Sequence, residues 1–186
     1  VPRLGRSKDG TPNLGVALKR CCRHHRLLTD DIGLSLDVAG GVATLRIAEN
    51  RPLEDAFREF CLVTILRFVH GYMCWAIDSR ISLRHAAFPF AAPPHSDAYP
   101  LMFAPDVRFG APQAGIAFDE RYLALPLQRD ERALRAMLKR ALPLTILQYR
   151  RDRLLGQRVR ELLRSRTNEA TTAEALAALL NVSGRT

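Results

Sequence analysis

The sequence predicts an α+β fold, with a small antiparallel sheet of about five strands packed with helices and followed by C-terminal linker helices. Three observations carry that expectation. Residues 33–40 and 42–49 alternate apolar and polar side chains around Gly40-Gly41, a favoured hairpin turn. A run from about Leu53 to Ile77 reads as one long helix, and most of the chain after Asp130 has helical spacing. With 186 residues, 47% of them apolar and 25% charged, the chain has enough apolar matter for one substantial core and an appendage.

Taken in order, Asn13 to Leu28 is expected to form a helix with Leu14, Leu18, Cys21 or Cys22, and His25 on one stripe, and Lys19, Arg20, Arg23 and Arg26 outside it. The hairpin follows. Pro52 in a first helical turn then opens the long helix, with Leu53, Phe57, Phe60 and Cys61 inward and Glu54, Asp55, Arg58 and Glu59 outward. From Leu62 to Ile77 nearly every side is apolar, so this half needs cover on two faces. "ISLRHAAFPF" alternates as a third strand, and the prolines of "PFAAPPHSD" enforce a loop. "SDAYPLMF" fits one short helix capped by Ser96 or Asp97, and "DVRFGAPQAGIAFDERYLALPL" supplies two more extended runs around a turn. Asp130 to Leu142 is an amphipathic helix with Leu134, Met137, Leu138 and Leu142 apolar, ended or kinked by Pro143, and another helix runs through "ILQYRRDRLLGQRVRELLRSR".

Several functions are argued against by composition. The longest apolar stretch is interrupted by Arg67 and His70, so no membrane partner is expected. Cys21, Cys22, Cys61 and Cys74 form no CxxC pair, which fits a reducing cytoplasm, and no GxSxG, HExxH, Walker or GxGxxG signature marks an enzyme. Catalytic residues and cofactors are expected to be none. Cys21 with His24 or His25 offers two ligands on one helical face, but a third and fourth are not apparent, so no metal is expected either. The formal charge of +9 gathers in "LKRCCRHHR" and "YRRDRLLGQRVRELLRSR", which permits contact with phosphates at the second cluster.

The last residues carry the most specific pattern. Thr171 and Glu174 make a capping box, Thr172 lies in the first turn, and Ala177 is a small residue where two crossing helices need one. Asn181 tolerates the left-handed turn four positions later; Ser183 then caps a second helix begun by Arg185 and Thr186. The spacing fits a helix-turn-helix and equally an ordinary helical hairpin.

"RVRELLRSRTNEATTAEALAALLNVSGRT" resembles the opening of the DNA-binding domain of AraC/XylS-family transcription regulators, with its Leu-x-x-Ser-x-Arg-Thr junction at Leu180, Ser183, Arg185 and Thr186. Asn181 stands where that family usually has Gly. Upstream, "NLGVALKRCCRHHRLLTD", the hairpin, "AYPLMF", "DVRFG", "IAF" and "LALPL" resemble the arabinose-binding-like N-terminal domain of one AraC branch. The resemblance implies an effector-binding domain over residues 1–128, a linker or dimerisation helix over 129–149, and the start of a helix-turn-helix domain over 150–186. Both ends read as trimmed. It also implies a small-molecule effector, DNA contacted through the C-terminal domain, and a homodimer whose partner could cover the 130–142 stripe, which packing on the chain's own sheet explains equally well.

An effector site in such a domain would be an enclosed, mostly apolar cavity with a few polar anchors. His70, Met73 and Trp75 on the long helix, with Arg84, Phe88 and Tyr99 beyond, are the expected lining for an apolar or amphipathic effector. Core packing accounts for the same residues. The rival reading is a stand-alone small-molecule-binding or enzymatic α+β domain whose basic helices keep it in solution.

Overall fold

The computed structural model describes residues 12–139 and 152–165. Helix α1 (Leu14–His25) starts at Asn13, whose side chain accepts from the Val16 amide at 3.0 Å, and leads into the hairpin of β1 (Ile32–Ala39) and β2 (Val42–Glu49). Gly40 and Gly41 both take positive φ, 57° and 78°, as a two-residue turn of this hand requires. Helix α2 (Asp55–Ile77) crosses to β3 (Leu83–Ala87); a 3-10 turn (Ser96–Ala98) and the short α3 (Tyr99–Met102) precede β4 (Val107–Arg108) and β5 (Ala114–Asp119). A second 3-10 turn (Glu120–Ala124), α4 (Glu131–Leu138) and α5 (Leu155–Ser165) complete the order.

The five strands lie in the order β1-β2-β5-β3-β4. All pairings are antiparallel except β3 with β4, so the sheet is mixed and not wholly antiparallel as the alternation implied. The parallel pair arises because the 88–106 loop carries the chain back along β3, a crossover that alternation along a strand does not encode. Register aligns Leu34, Ile47 and Ala114, then Leu36, Leu45, Ile116 and Ala86, as rows on one face. Those rows meet Leu14 and Leu18 of α1 and Leu62, Leu66 and Met73 of α2 in one core. On the opposite face, a Cβ built on Gly115 would come 2.8 Å from the Leu45 carbonyl oxygen. Because backbone cannot yield cheaply, Gly115→Ala should cost about 1–3 kcal/mol in urea unfolding, and a neutral result would contradict the register.

Helix α2 corrects the expectation in its first turns. It begins at Asp55 with Glu54 as N-cap, leaving Pro52 outside the helix. Its buried stripe of Leu62, Leu66, Val69 and Met73, extended back three or four residues, lands on Arg58 and Glu59. Phe57 and Phe60 therefore face outward, 58% and 68% exposed. Arg58 tolerates the inward position through two 2.8 Å hydrogen bonds to Glu49 of β2. By length and composition alone α2 could cross a membrane, but here it is the central helix of the core.

Other boundaries also move. Neither Ser96 nor Asp97 caps a helix; His95 precedes the 3-10 turn without a side-chain cap bond. In "YLALPL" Tyr122 to Ala124 belong to the second 3-10 turn, Leu125 is extended, and Pro126 makes only an isolated antiparallel bridge with Asn13, so the run is not a strand of the sheet. Asp130 caps α4, its carboxylate accepting from the Ala133 amide at 2.7 Å, and Leu134 and Met137 are half-buried. Among the described residues the C-terminal basic helix is Leu155–Ser165, entered through a turn in which the Leu155 amide donates to the Asp152 carbonyl at 3.2 Å. Leu142, Pro143 and the helix-turn-helix residues Thr171, Thr172, Ala177, Asn181, Ser183, Arg185 and Thr186 lie outside the described residues.

Candidate functional site

Two constellations stand out around this core. The first is an aromatic assembly built by the proline loop. Phe88 is fully buried, with the rings of Phe90, Tyr99 and Phe103 at 5.3, 5.1 and 5.3 Å and Phe109 at 6.1 Å. Prolines and the β3–β4 crossover bring these rings together from residues 88–109, while Phe90, Phe103 and Phe109 keep part of their surface exposed. Arg67 of α2 lays its guanidinium 5.7 Å from the centre of the Phe103 ring and donates to the Met102 carbonyl. Beside it Glu59 binds the Tyr99 hydroxyl at 2.6 Å and His95 Nε2 at 2.7 Å. Burial, then the neighbouring Glu59 carboxylate, pushes the Tyr99 phenol above its usual range.

The second constellation ties α5 to the domain. Asp152 accepts from the Tyr122 hydroxyl at 2.7 Å and the Ser82 hydroxyl at 3.3 Å through one oxygen, and from the Leu154 amide at 2.9 Å through the other. The Arg153 amide donates to Ser79 Oγ at 3.0 Å, and Leu154 is buried in the core. Further along α5, Glu161 meets Arg121 at 2.5 Å, and Arg121 is held in turn by Asp119. Hydrogen bonds from Arg121, then Gln157, hold the Glu161 carboxyl below the usual range.

The six expected effector residues are divided by the structure. Phe88 and Tyr99 stand together in the aromatic assembly. Met73 is fully buried in the core under the sheet. His70 points elsewhere, its Nε2 bonded to the Ile81 carbonyl at 2.9 Å and 3.6 Å from Cys74 Sγ. Trp75 is half-buried beneath the Arg129 guanidinium, and Arg84 lies exposed on the opposite sheet face, 3.7 Å from Asp119. Sequence reasoning missed Glu59, Arg67, Phe90, Phe103 and Phe109, although "FPF" and "MFAPDVRFG" carried the signal as aromatics flanking prolines. It also missed Asp152, the lone acid in "YRRDR".

Burial pushes the His70 imidazole down to about 4 and the Cys74 thiol up to about 11, so both stay neutral at pH 7. The unfolded histidine binds protons below its ordinary value near 6.5 whereas the folded one does not, so stability present above that pH is lost as pH falls toward 4. Thermal melts between pH 7 and 5 should show wild type losing its advantage over His70→Gln; a constant difference would contradict a buried neutral imidazole. At the end of α1, His24 Nδ1 sits 2.9 Å from the Arg20 carbonyl, and among the described residues no three His, Cys, Asp or Glu side chains gather as a metal site. An open cleft of about 300 Å³ lies near the same corner, lined by Arg26, Thr29, Asp30, Ser35 and Asn50 with apolar residues of β1; it contains none of the six expected residues.

Comparison with known proteins decides the family. Residues 4–127 match the arabinose-binding domain of AraC transcription regulators, N-terminal, across both the sheet and the aromatic assembly. The chain belongs to that family. Among solved structures, this AraC-type domain resembles the transcriptional regulator CdpR from Pseudomonas aeruginosa, with a TM-score of 0.55 and 16% identity over 94% of the chain. The chain spans 57% of that protein's length, and at this identity the likeness concerns the fold. No curated protein sequence matches the AraC-type chain. Its core thus builds the regulatory domain of a family of transcription regulators, with α5 anchored at one end.

Proposed function

We propose that this domain binds a small amphipathic effector and passes the signal through α5 to a helix-turn-helix that contacts DNA. One observation supports the reading best: α5 precedes the helix-turn-helix pattern and is bound to the regulatory domain through Asp152. A segment held by Tyr122, Ser82, Ser79 and Arg121 of the domain has a defined docked arrangement, and an effector that favours or disfavours docking shifts its population.

The effector site in this reading is the partly exposed edge of the aromatic assembly. Phe90, Phe103 and Phe109 would stack against an apolar or aromatic body over a base formed by Phe88 and Tyr99. Arg67 would face its carboxylate in a setting where water screens poorly. Of the expected lining, Phe88 and Tyr99 belong to this site, and His70, Met73, Trp75 and Arg84 would act at most through packing. Thermal-shift screening of the 186-residue chain against fatty acids, aromatic acids, amino acids and sugars tests the assignment. A rise with aromatic or fatty acids that Phe103→Ala abolishes supports it, and a rise with sugars alone overturns it.

DNA contact belongs to residues 150–186 in this proposal, with Thr171, Thr172, Ala177, Asn181 and Ser183 shaping the helix-turn-helix and Arg185 and Thr186 opening its second helix. Base readout needs a full recognition helix in the major groove. The isolated 186 residues, tested as a piece, should bind DNA without sequence preference and with affinity that collapses as salt rises; a salt-resistant, sequence-selective gel shift would contradict that. Such a regulator works in the cytoplasm as a homodimer.

A further inference from the structure

The inward-facing phenylalanines that the sequence led us to expect are outward, and this has a counterpart on the neighbouring helix. Leu27 and Leu28, just beyond α1, are 80% and 82% exposed. These leucines and Phe57 and Phe60 of α2 rise from the same end of the sheet. The amides of Asn50 and Arg51, leading into α2, donate to the Asp31 carbonyl, leading out of α1, at 2.8 and 3.1 Å. Arg51 also pairs with Asp31 at 3.2 Å, cancelling charge at the seam.

The charges on either side of that seam differ in sign. Helix α1 contains no acidic residue, and Lys19, Arg20, Arg23 and Arg26 are exposed on its way to the leucines. On the other side Glu54 and Asp55 are exposed beside the phenylalanines, while Arg58 is neutralised by Glu49. An apolar patch with a basic half and an acidic half is complementary to itself: a two-fold axis lays each half on its opposite while Leu27, Leu28, Phe57 and Phe60 meet between them.

We infer that this end of the sheet is a homodimer interface, in which the basic end of α1 in one protomer docks on the acidic start of α2 in its partner. The assignment goes beyond the effector reading and does not depend on it. It also differs from the stripe of α4 as a dimer surface. Paired leucines and phenylalanines distinguish this patch from a phosphate-binding surface, where exposed alkyl groups would face a strongly hydrated backbone.

Charge exchange tests it. Sedimentation of the full 186-residue chain across micromolar concentrations should show a concentration-dependent dimer, weakened by salt. The pair Arg23→Glu and Arg26→Glu should weaken it roughly tenfold or more, as should Glu54→Lys with Asp55→Lys. Mixing the two doubly substituted chains should restore a dimer, because each altered half then meets its opposite. Circular dichroism checks that each chain remains folded. A wild-type monomer at every concentration overturns the inference, as does a dimer indifferent to both reversals, which would place the interface on another surface such as α4. Association of the wild-type chain only in the presence of DNA overturns it as well.

Discussion

Replacing Phe88 by alanine should remove about 3–5 kcal/mol of folding stability, a large share of the roughly 5–15 kcal/mol that a natural domain possesses. Phe88 has no exposed surface, and four other rings lie within 6.1 Å of it. Truncation would leave a cavity whose walls are ring faces held by prolines and by the Glu59–Tyr99 bond, so collapse would be poor. Edge-to-face contacts with Tyr99 and Phe103 add about 0.5–1.5 kcal/mol each beyond the area buried. Urea unfolding measures the loss, with Phe88→Leu expected to fall between wild type and alanine. A loss below about 1 kcal/mol would mean that the assembly is not packed as described.

Asp152→Asn should loosen α5 while leaving the sheet intact. Tyr122, Ser82 and the Leu154 amide all donate to this carboxylate, the first two to one oxygen. An isosteric amide keeps one accepting oxygen and turns an N–H₂ group toward a donor on the other side. Bonds to a charged group contribute about 1.5–3 kcal/mol each, and a mispaired donor adds to the cost, so a loss of about 2–3 kcal/mol is expected at this joint. Amide exchange across residues 152–165 should accelerate at least tenfold, with β1 and β2 unchanged. Tyr122→Phe, which deletes only the hydroxyl, should have a smaller effect in the same place. Equal acceleration throughout the domain would show that Asp152 supports the core and not the docking of α5.

Short-range chemistry made much of this fold legible. Asn13 and Asp130 are caps whose side chains bond the amides three residues on, and Gly40-Gly41 is a turn whose φ values glycine alone adopts cheaply. Those features reside in four or five consecutive residues. The parallel β3–β4 pair does not, since it depends on a crossover of nearly twenty residues that no periodicity describes. The face of α2 was misread for a related reason. Phe57 and Phe60 look like core residues by type, yet the stripe that fixes the helix's rotation starts at Leu62, and running it backward puts Arg58 and Glu59 inside. Hydrophobicity suggested the face, whereas packing downstream determined it.

The candidate site was legible only in part. Phe88 and Tyr99 could be singled out as aromatics near a loop, and they do meet. Arg67 meets the Met102 carbonyl, 35 residues on, and the ring of the next residue, Phe103, and neither contact leaves a spacing in the sequence. His70 illustrates the converse: a titratable residue on a buried helix invites a ligand role, but its ring nitrogen is already committed to the Ile81 carbonyl. Asp152 is one carboxylate in a basic run, and its partners Ser82 and Tyr122 lie 70 and 30 residues away.

Amide hydrogen exchange of the 186-residue chain with and without a stabilising aromatic or fatty acid tests the central claim most directly. If the domain senses an amphipathic molecule and signals through its last described helix, saturation should change exchange in residues 152–165 by at least several-fold, alongside protection around Phe90, Phe103 and Phe109, and Asp152→Asn should erase the distal change while sparing the local one. Protection of the aromatic edge with exchange across 152–165 left untouched would contradict it.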